Sequence, residues 1–380
     1  METEELNFSA ETELMVNMDA MISNYKFFKS KVKPDTKMIC MLKASGYGAG
    51  LVELAQELEK VGVSYIAVAV TSKGVELREG GIKTPIIVLN SNRYDCETLI
   101  KYNLEPEVYN LEILGYVVEA AKKLGVTNHP IHIKLDTGMH RLGFLPNQLP
   151  ELINLIKSEP TVKIESIFTH LAGADEERWD DYTRGQLQLF EQGCQKIQSN
   201  FDYKILRHAL NSSGTVRFSE FDYDMVRLGI GLYGVRTIFD GSQAALREVS
   251  ALYTTIISIK EWSAENTIGY GRKGVLTKDS VIATIPIGYA DGIDRHLGNG
   301  NMQVYINGAY APTIGNICMD MCMIDITGID CKVGDKVEIF GNKISVEKLS
   351  DRLETIPYEI LTSIGERVKR TYYNSSIDDI

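Results

Sequence analysis

Short apolar runs alternate with longer amphipathic segments from about residue 37 to 230, and no other feature restricts the fold of this chain as much. The runs are KMICMLK (37–43), YIAVAV (65–70), PIIVL (85–89), EPEVY (105–109), IHIKLD (131–136), VKIESIFTH (162–170), ILRHAL (205–210) and DMVRLG (224–229). Parallel strands covered on both faces read as continuous apolar runs, and the crossovers between them are helical. LVELAQELEKVG, LEILGYVVEAAKKLG and TRGQLQLFEQGCQKIQ carry that helical pattern. Eight such units in some 200 residues predict an α/β fold, an N-terminal (β/α)8 TIM barrel. A doubly wound sheet fits less well, because no GxGxxG follows the first strand. After residue 245 the texture changes to short β-like runs separated by Gly, Asn and Asp, among them SVIATIPI, MQVYINGAYAPTI and DKVEIFGN. The expected division is a barrel over residues 12–245 and a mostly-β C-terminal domain over 246–380, with residues 1–11 pairing to the latter.

A chain of 380 residues exceeds one ordinary core and agrees with two units. Its formal net charge of −11 argues against a nucleic-acid partner, which needs clustered Lys and Arg; RVKR at 367–370 is too short for such a patch. No stretch approaches the roughly 20 apolar residues of a membrane span. The acidic N-terminus lacks the layout of a signal peptide, so a cytoplasmic location and no membrane partner are expected. Six scattered cysteines form no CxxC pair and read as thiols. His129, His132, His140 and His296 show no HxH or HExxH spacing, so no metal is expected and none of the four is assigned a catalytic role.

In such a barrel, catalytic side chains gather at the C-terminal ends of the strands. Lys43, Lys134, Arg141, His170, Asn211, Ser212 and Arg227 all fall there. Lys43 ends a strand that should be wholly buried. It could snorkel out of the barrel mouth, or serve as an amine nucleophile whose ammonium pKa is lowered by desolvation. Gly46, Gly48 and Gly50 beside it read as room for a cofactor.

Lys43-Ala44-Ser45-Gly46-Tyr47-Gly48 resembles the pyridoxal-phosphate lysine motif of bacterial alanine racemases, a family of fold type III. Further motifs follow in the family's order: IHIKLDTGMHRLGF (131–144), FTHLAGADE (168–176), HALNSSGTVRF (208–218), VRLGIGLYG (226–234), IGYGR (268–272), ATIPIGYADGIDR (283–295), GNICMDMCMID (315–325) and TIPYEI (355–360). The phrasing is also similar to the racemase part of ligase–racemase fusions. With no ligase segment in the sequence, a free-standing enzyme is expected.

The resemblance implies pyridoxal 5'-phosphate as cofactor, joined to Lys43, and alanine as substrate. It implies two bases on opposite faces of the cofactor, Lys43 and Tyr270, each within hydrogen-bonding reach of Cα. A phenol of ordinary pKa near ~10 is a poor base at neutral pH, and the family supports it through His170, Arg227 and His208. Tyr47, Ser212, Gly229, Ile230 and Tyr358 match phosphate-binding positions, and Asn211 joins them in the cofactor site. Arg227 should approach the pyridine nitrogen, to which a guanidinium cannot yield its proton. Arg141, Met319, Asp320 and Tyr289 match substrate-side positions. Tyr270, Tyr289, Met319 and Asp320 reach the cofactor of the other subunit in the family, which implies a homodimer with shared active sites.

Lys134 matches a position where many members carry an N-carboxylated lysine. Left free beside Arg141, it would face a like charge, so a carbamate or a bound anion is expected there. The resemblance also implies a role in supplying D-alanine for peptidoglycan. Ser72-Lys73-Gly74 replaces the family's Asp-Glu-Gly at a helix start, a change expected to touch stability more than chemistry. Serine racemase, a pyridoxal-phosphate decarboxylase and a non-catalytic pyridoxal-phosphate-binding protein are the alternatives. Tyr358 favours a small substrate side chain, IGYGR favours racemisation over decarboxylation, and the β domain argues against a bare cofactor carrier.

Overall fold

The computed structural model describes residues 11–374. Eight parallel strands close into a barrel in chain order: Lys37–Met41, Tyr65–Val68, Ile86–Val88, Glu105–Val108, His129–Lys134, Val162–Phe168, Leu206–His208 and Met225–Leu228. The last strand returns to the first, with Ile39 opposite Arg227 and Cys40 opposite Leu228. All eight apolar runs are therefore barrel strands. The helical patterns became Val52–Lys60, Leu111–Leu124 and Asp180–Gln198. Leu111–Leu124 starts where the Asn110 side chain accepts from the Ile113 amide and stops at Gly125, whose φ of 67° ends the helix in the left-handed region. No helix among the described residues is long and apolar enough to cross a membrane.

The second domain is built on a nine-stranded sheet, ordered in space Ser258–Trp262, Ser280–Ile285, Cys322–Asp325, Ala309–Ile314, Gln303–Ile306, Lys336–Phe340, Ser250–Thr255, Glu13–Asn17 and Lys369–Tyr373. The boundary at residue 12 needs correction. Glu13–Asn17 pairs antiparallel with Ser250–Thr255 and parallel with Lys369–Tyr373, in the second domain's sheet. All five of its residues are buried, so the run reads alike whichever sheet it joins. Asn17 then caps the helix Met18–Lys29 through the Ala20 amide. Pairing by residues 1–10 lies outside the described residues.

Candidate active site

A cavity of about 490 Å³ opens at the C-terminal ends of the barrel strands. Ten residues singled out from the sequence line it: Lys43, Tyr47, Lys134, Arg141, His170, Asn211, Ser212, Arg227, Gly229 and Tyr358. Tyr358 comes from the helix Pro357–Thr362 of the second domain, so the cavity already draws on both domains.

Lys43 enters on a strained turn. Ala44, Ser45, Gly46 and Tyr47 have φ of 51, 51, 63 and 51°, and Gly48 has 82°. A left-handed conformation costs a non-glycine residue about 1–2 kcal/mol, and such strain persists only where the surroundings enforce it. Here the enforcement comes from the second domain, where Arg370 Nε donates to the Gly48 carbonyl at 3.1 Å. Burial, then Arg141, Arg227 and Lys134, lower the pKa of the Lys43 ammonium. A larger share of neutral, nucleophilic amine follows at any given pH near neutrality.

The glycines after Lys43 do not open onto the cavity. A Cβ on Gly48 would lie 2.1 Å from the Leu361 carbonyl oxygen, and one on Gly50 would lie 2.0 Å from Tyr372 Oη. The second domain's own chain fills that space. Gly229 does serve the cavity: its amide donates to Ser212 Oγ at 2.9 Å, and an added Cβ would sit 3.1 Å from Tyr47 Oη. Hydroxyls of Tyr47 and Ser212 thus converge on one small cradle, with Tyr358 close by, its ring 5.9 Å from that of Tyr47. Ile230 is buried in the following turn and does not line the cavity. Asn211 caps the short helix Ser212–Arg217 by accepting from the Gly214 amide.

Arg227 is fixed from behind. Its Nη2 donates to the carbonyls of Thr169 at 2.6 Å and Ala209 at 2.9 Å, with His170 Nδ1 at 3.5 Å. Nη1 meets His208 Nδ1 at 2.8 Å. Arginine only donates, so His208 Nδ1 must accept, and its Nε2–H donates to Ser166 Oγ at 2.9 Å. The Ser166 hydroxyl then donates to His132 Nδ1 at 2.6 Å, and His132 Nε2–H donates to Glu105 at 2.8 Å. One obligate donor sets every tautomer in a relay that ends on a carboxylate. Burial and the Arg227 charge hold His208 well below the usual histidine range, which matches its role as a neutral acceptor. Burial lowers Arg227 only to about 10, so it stays charged at neutral pH.

Three of these relay residues, Glu105, His132 and Ser166, were not read as functional. His132, assigned no catalytic role from its spacing, connects to Arg227 at two removes. The signal was the spacing: Glu105 and Glu107, His132 and Lys134, Ser166 and Phe168 each lie two apart in a barrel strand, hence on one face. Barrel interiors are normally filled by Val, Ile and Leu. Replacing Ser166 by Ala should orphan the Nε2–H of His208 and the Nδ1 of His132. The expected loss is about 1–3 kcal/mol per group in urea unfolding, with Ser166→Thr clearly milder because it keeps the hydroxyl.

Family comparison decides the membership. The alanine racemase N-terminal domain model matches residues 16–237 and the alanine racemase C-terminal domain model matches residues 249–372. The chain belongs to the alanine racemase family. An alanine racemase of Clostridium novyi is 38% identical over 369 residues, 94% of each chain. The solved alanine racemase of Clostridium difficile 630 superposes with a TM-score of 0.90 at 36% identity, covering 97% of both chains. The alanine racemase of Bartonella henselae, solved with covalently bound pyridoxal phosphate, superposes at 0.86 with 29% identity over 96% of this chain and all of that one.

Alanine racemases depend on pyridoxal phosphate, and the donor set of the cavity fits it. Lys43 offers an amine to an aldehyde, the Gly229 cradle offers small space and hydroxyls to a dianion, and Arg227 offers a charged donor to a ring nitrogen.

The remaining racemase positions lie elsewhere on this chain. Tyr270, Tyr289, Met319 and Asp320 do not line the cavity. Tyr270 is 72% exposed and Met319 54%. They form one loop cluster of the second domain: Asn316 donates to the Tyr270 carbonyl, the Tyr289 amide donates to the Cys318 carbonyl, and the Ala290 amide donates to the Met319 carbonyl. Arg367 reaches Asp291 at 2.6 Å and Asp320 at 2.7 Å. The RVKR segment thus holds this loop cluster through Arg367 and the Lys43 turn through Arg370.

Proposed function

We propose that this protein interconverts L- and D-alanine, with Lys43 and Tyr270 as the two bases and each active site built from two copies of the chain in a homodimer. The observation that carries the reading is the division of the racemase residues. One set lines a cavity with Lys43, and the other stands exposed on the second domain, away from its own chain's cavity. Bound pyridoxal phosphate would make the Cα proton of an attached amino acid acidic. Lys43 would then take or return that proton on the face serving D-alanine, and the partner's Tyr270 on the face serving L-alanine.

His170 would support the phenol. Burial and the cations Arg227, Arg141, Lys134 and Lys43 hold it well below the usual histidine range. With Nδ1 turned to Arg227, its Nε2–H is free to donate to a tyrosine oxygen. Arg141, with no hydrogen bond or ion pair inside its own chain among the described residues, is suited to a substrate carboxylate. Tyr358 closes the cavity beside the cradle and favours the methyl side chain of alanine, although a hydrophobic wall separates close analogues by only about 1–3 kcal/mol. A cytoplasmic location and a supply of D-alanine to peptidoglycan are part of this reading. Loss of optical rotation from L-alanine should be measured beside loss from L-serine. Alanine is expected to turn over faster, and serine turning over faster would overturn the substrate assignment.

A further inference from the structure

The cavity carries more positive charge than its architecture can leave unanswered. Lys43, Lys134, Arg141 and Arg227 all line it, and like charges so close disfavour one another. Within the barrel wall one carboxylate answers them. Glu107 is 1% exposed, and its Oε1 lies 2.7 Å from Lys134 Nζ, itself on a residue 6% exposed. The contact is a close, buried ion pair. The Phe168 ring, 5.5 Å from Lys134 Nζ and 5.4 Å from the Arg227 guanidinium, covers both cations. Burial pushes the Glu107 carboxyl up, while Lys134, Arg141 and Arg227 oppose that rise. With an ammonium at 2.7 Å and two guanidiniums beyond it, Glu107 is the group positioned to answer their charge.

The expected anion at Lys134 is therefore a side chain of the protein itself. An N-carboxylated lysine forms when a neutral amine attacks carbon dioxide through its nitrogen lone pair, with one proton released to solvent. An ammonium held by a buried carboxylate has no lone pair to offer. We propose that Glu107 is a positioning residue, the fixed anion of this site, which keeps Lys134 an unmodified ammonium and offsets the positive charge around Arg141 without dissolved carbon dioxide. The kinetic part of this inference rests on the alanine racemase reading, and the chemical part does not.

The test uses the loaded enzyme in buffer stripped of carbon dioxide and in buffer with carbon-13-labelled bicarbonate. Wild type should show no lysine carbamate resonance in carbon-13 NMR and no change in rate between the two buffers. A carbamate resonance in wild type, removed by Lys134→Ala, would overturn the proposal. So would a rate that rises with bicarbonate. Glu107→Gln keeps the volume and removes the charge, so KM for alanine should rise about tenfold with kcat changed far less, and Glu107→Asp should restore most of the difference. An unchanged KM in folded, cofactor-loaded Glu107→Gln would remove the positioning role. If wild type turned over no alanine, the racemase reading would fail while the resonance still decided the state of Lys134.

Discussion

Lys43→Ala protein should emerge colourless from gel filtration with excess pyridoxal phosphate, and its racemisation of alanine should fall by at least about a thousandfold. Two separate losses combine. The amine that would hold the cofactor is gone, and so is the base proposed for one face of Cα. No neighbour can take over. Lys134 is the nearest amine in kind, but it is bound to Glu107 in an ion pair. The left-handed run from Ala44 to Gly48 is held at Gly48, by Arg370 and by packing against Leu361, so the variant should fold and unfold much like wild type. A variant that retained cofactor absorption, or kept activity within tenfold of wild type, would overturn the assignment. The lowered pKa adds a direction. Neutral amine appears at lower pH than for an ordinary lysine, so attachment of cofactor to the apo wild type should titrate below the usual lysine range.

Much of this arrangement was legible in the sequence, for reasons that can be stated residue by residue. The eight runs betrayed the barrel because a strand buried on both faces has little use for polar residues, and the mouth residues stood out because they interrupt that rule at the strand ends. Lys43, His170 and Arg227 were found that way. Two kinds of feature were not legible. One is domain membership of a short apolar run: Glu13–Asn17 offers five buried residues, and only its partners Ser250–Thr255 and Lys369–Tyr373 say which sheet it completes. The other is a polar group that looks inward. EPEV reads as a strand, but no rule of periodicity says that Glu105 and Glu107 are buried 7% and 1% exposed, one under His132 and one under Lys134. Buried charges require partners from other strands, and those partners lie 27 residues further along the chain. The glycines after Lys43 show the opposite error. A plausible local reason, space for a cofactor, gave way to a remote one, the approach of Leu361 and Tyr372.

Co-expressing Lys43→Ala and Tyr270→Phe chains with different tags, then purifying through both, should yield a heterodimer with about half the wild-type activity, although each parent homodimer is nearly inactive. In a two-fold dimer with shared sites, one cavity would combine Lys43→Ala with the partner's Tyr270→Phe and be doubly defective. The other would combine an intact Lys43 with an intact partner tyrosine. If each site lay within one chain, every site of the heterodimer would carry a defect and activity would stay near that of the parents. The position of Tyr270, largely exposed and absent from its own chain's cavity wall, makes the first outcome the expected one. Tyr270→Phe alone should lower racemisation by about a hundredfold to ten-thousandfold, the range for loss of a positioned general base. Its defect should also be one-sided. In deuterium oxide the Tyr270→Phe homodimer, with Lys43 intact, should still exchange the Cα proton of D-alanine while leaving that of L-alanine almost untouched. Equal exchange into both enantiomers would mean that one base serves both faces, and the division of labour between Lys43 and Tyr270 would have to be abandoned.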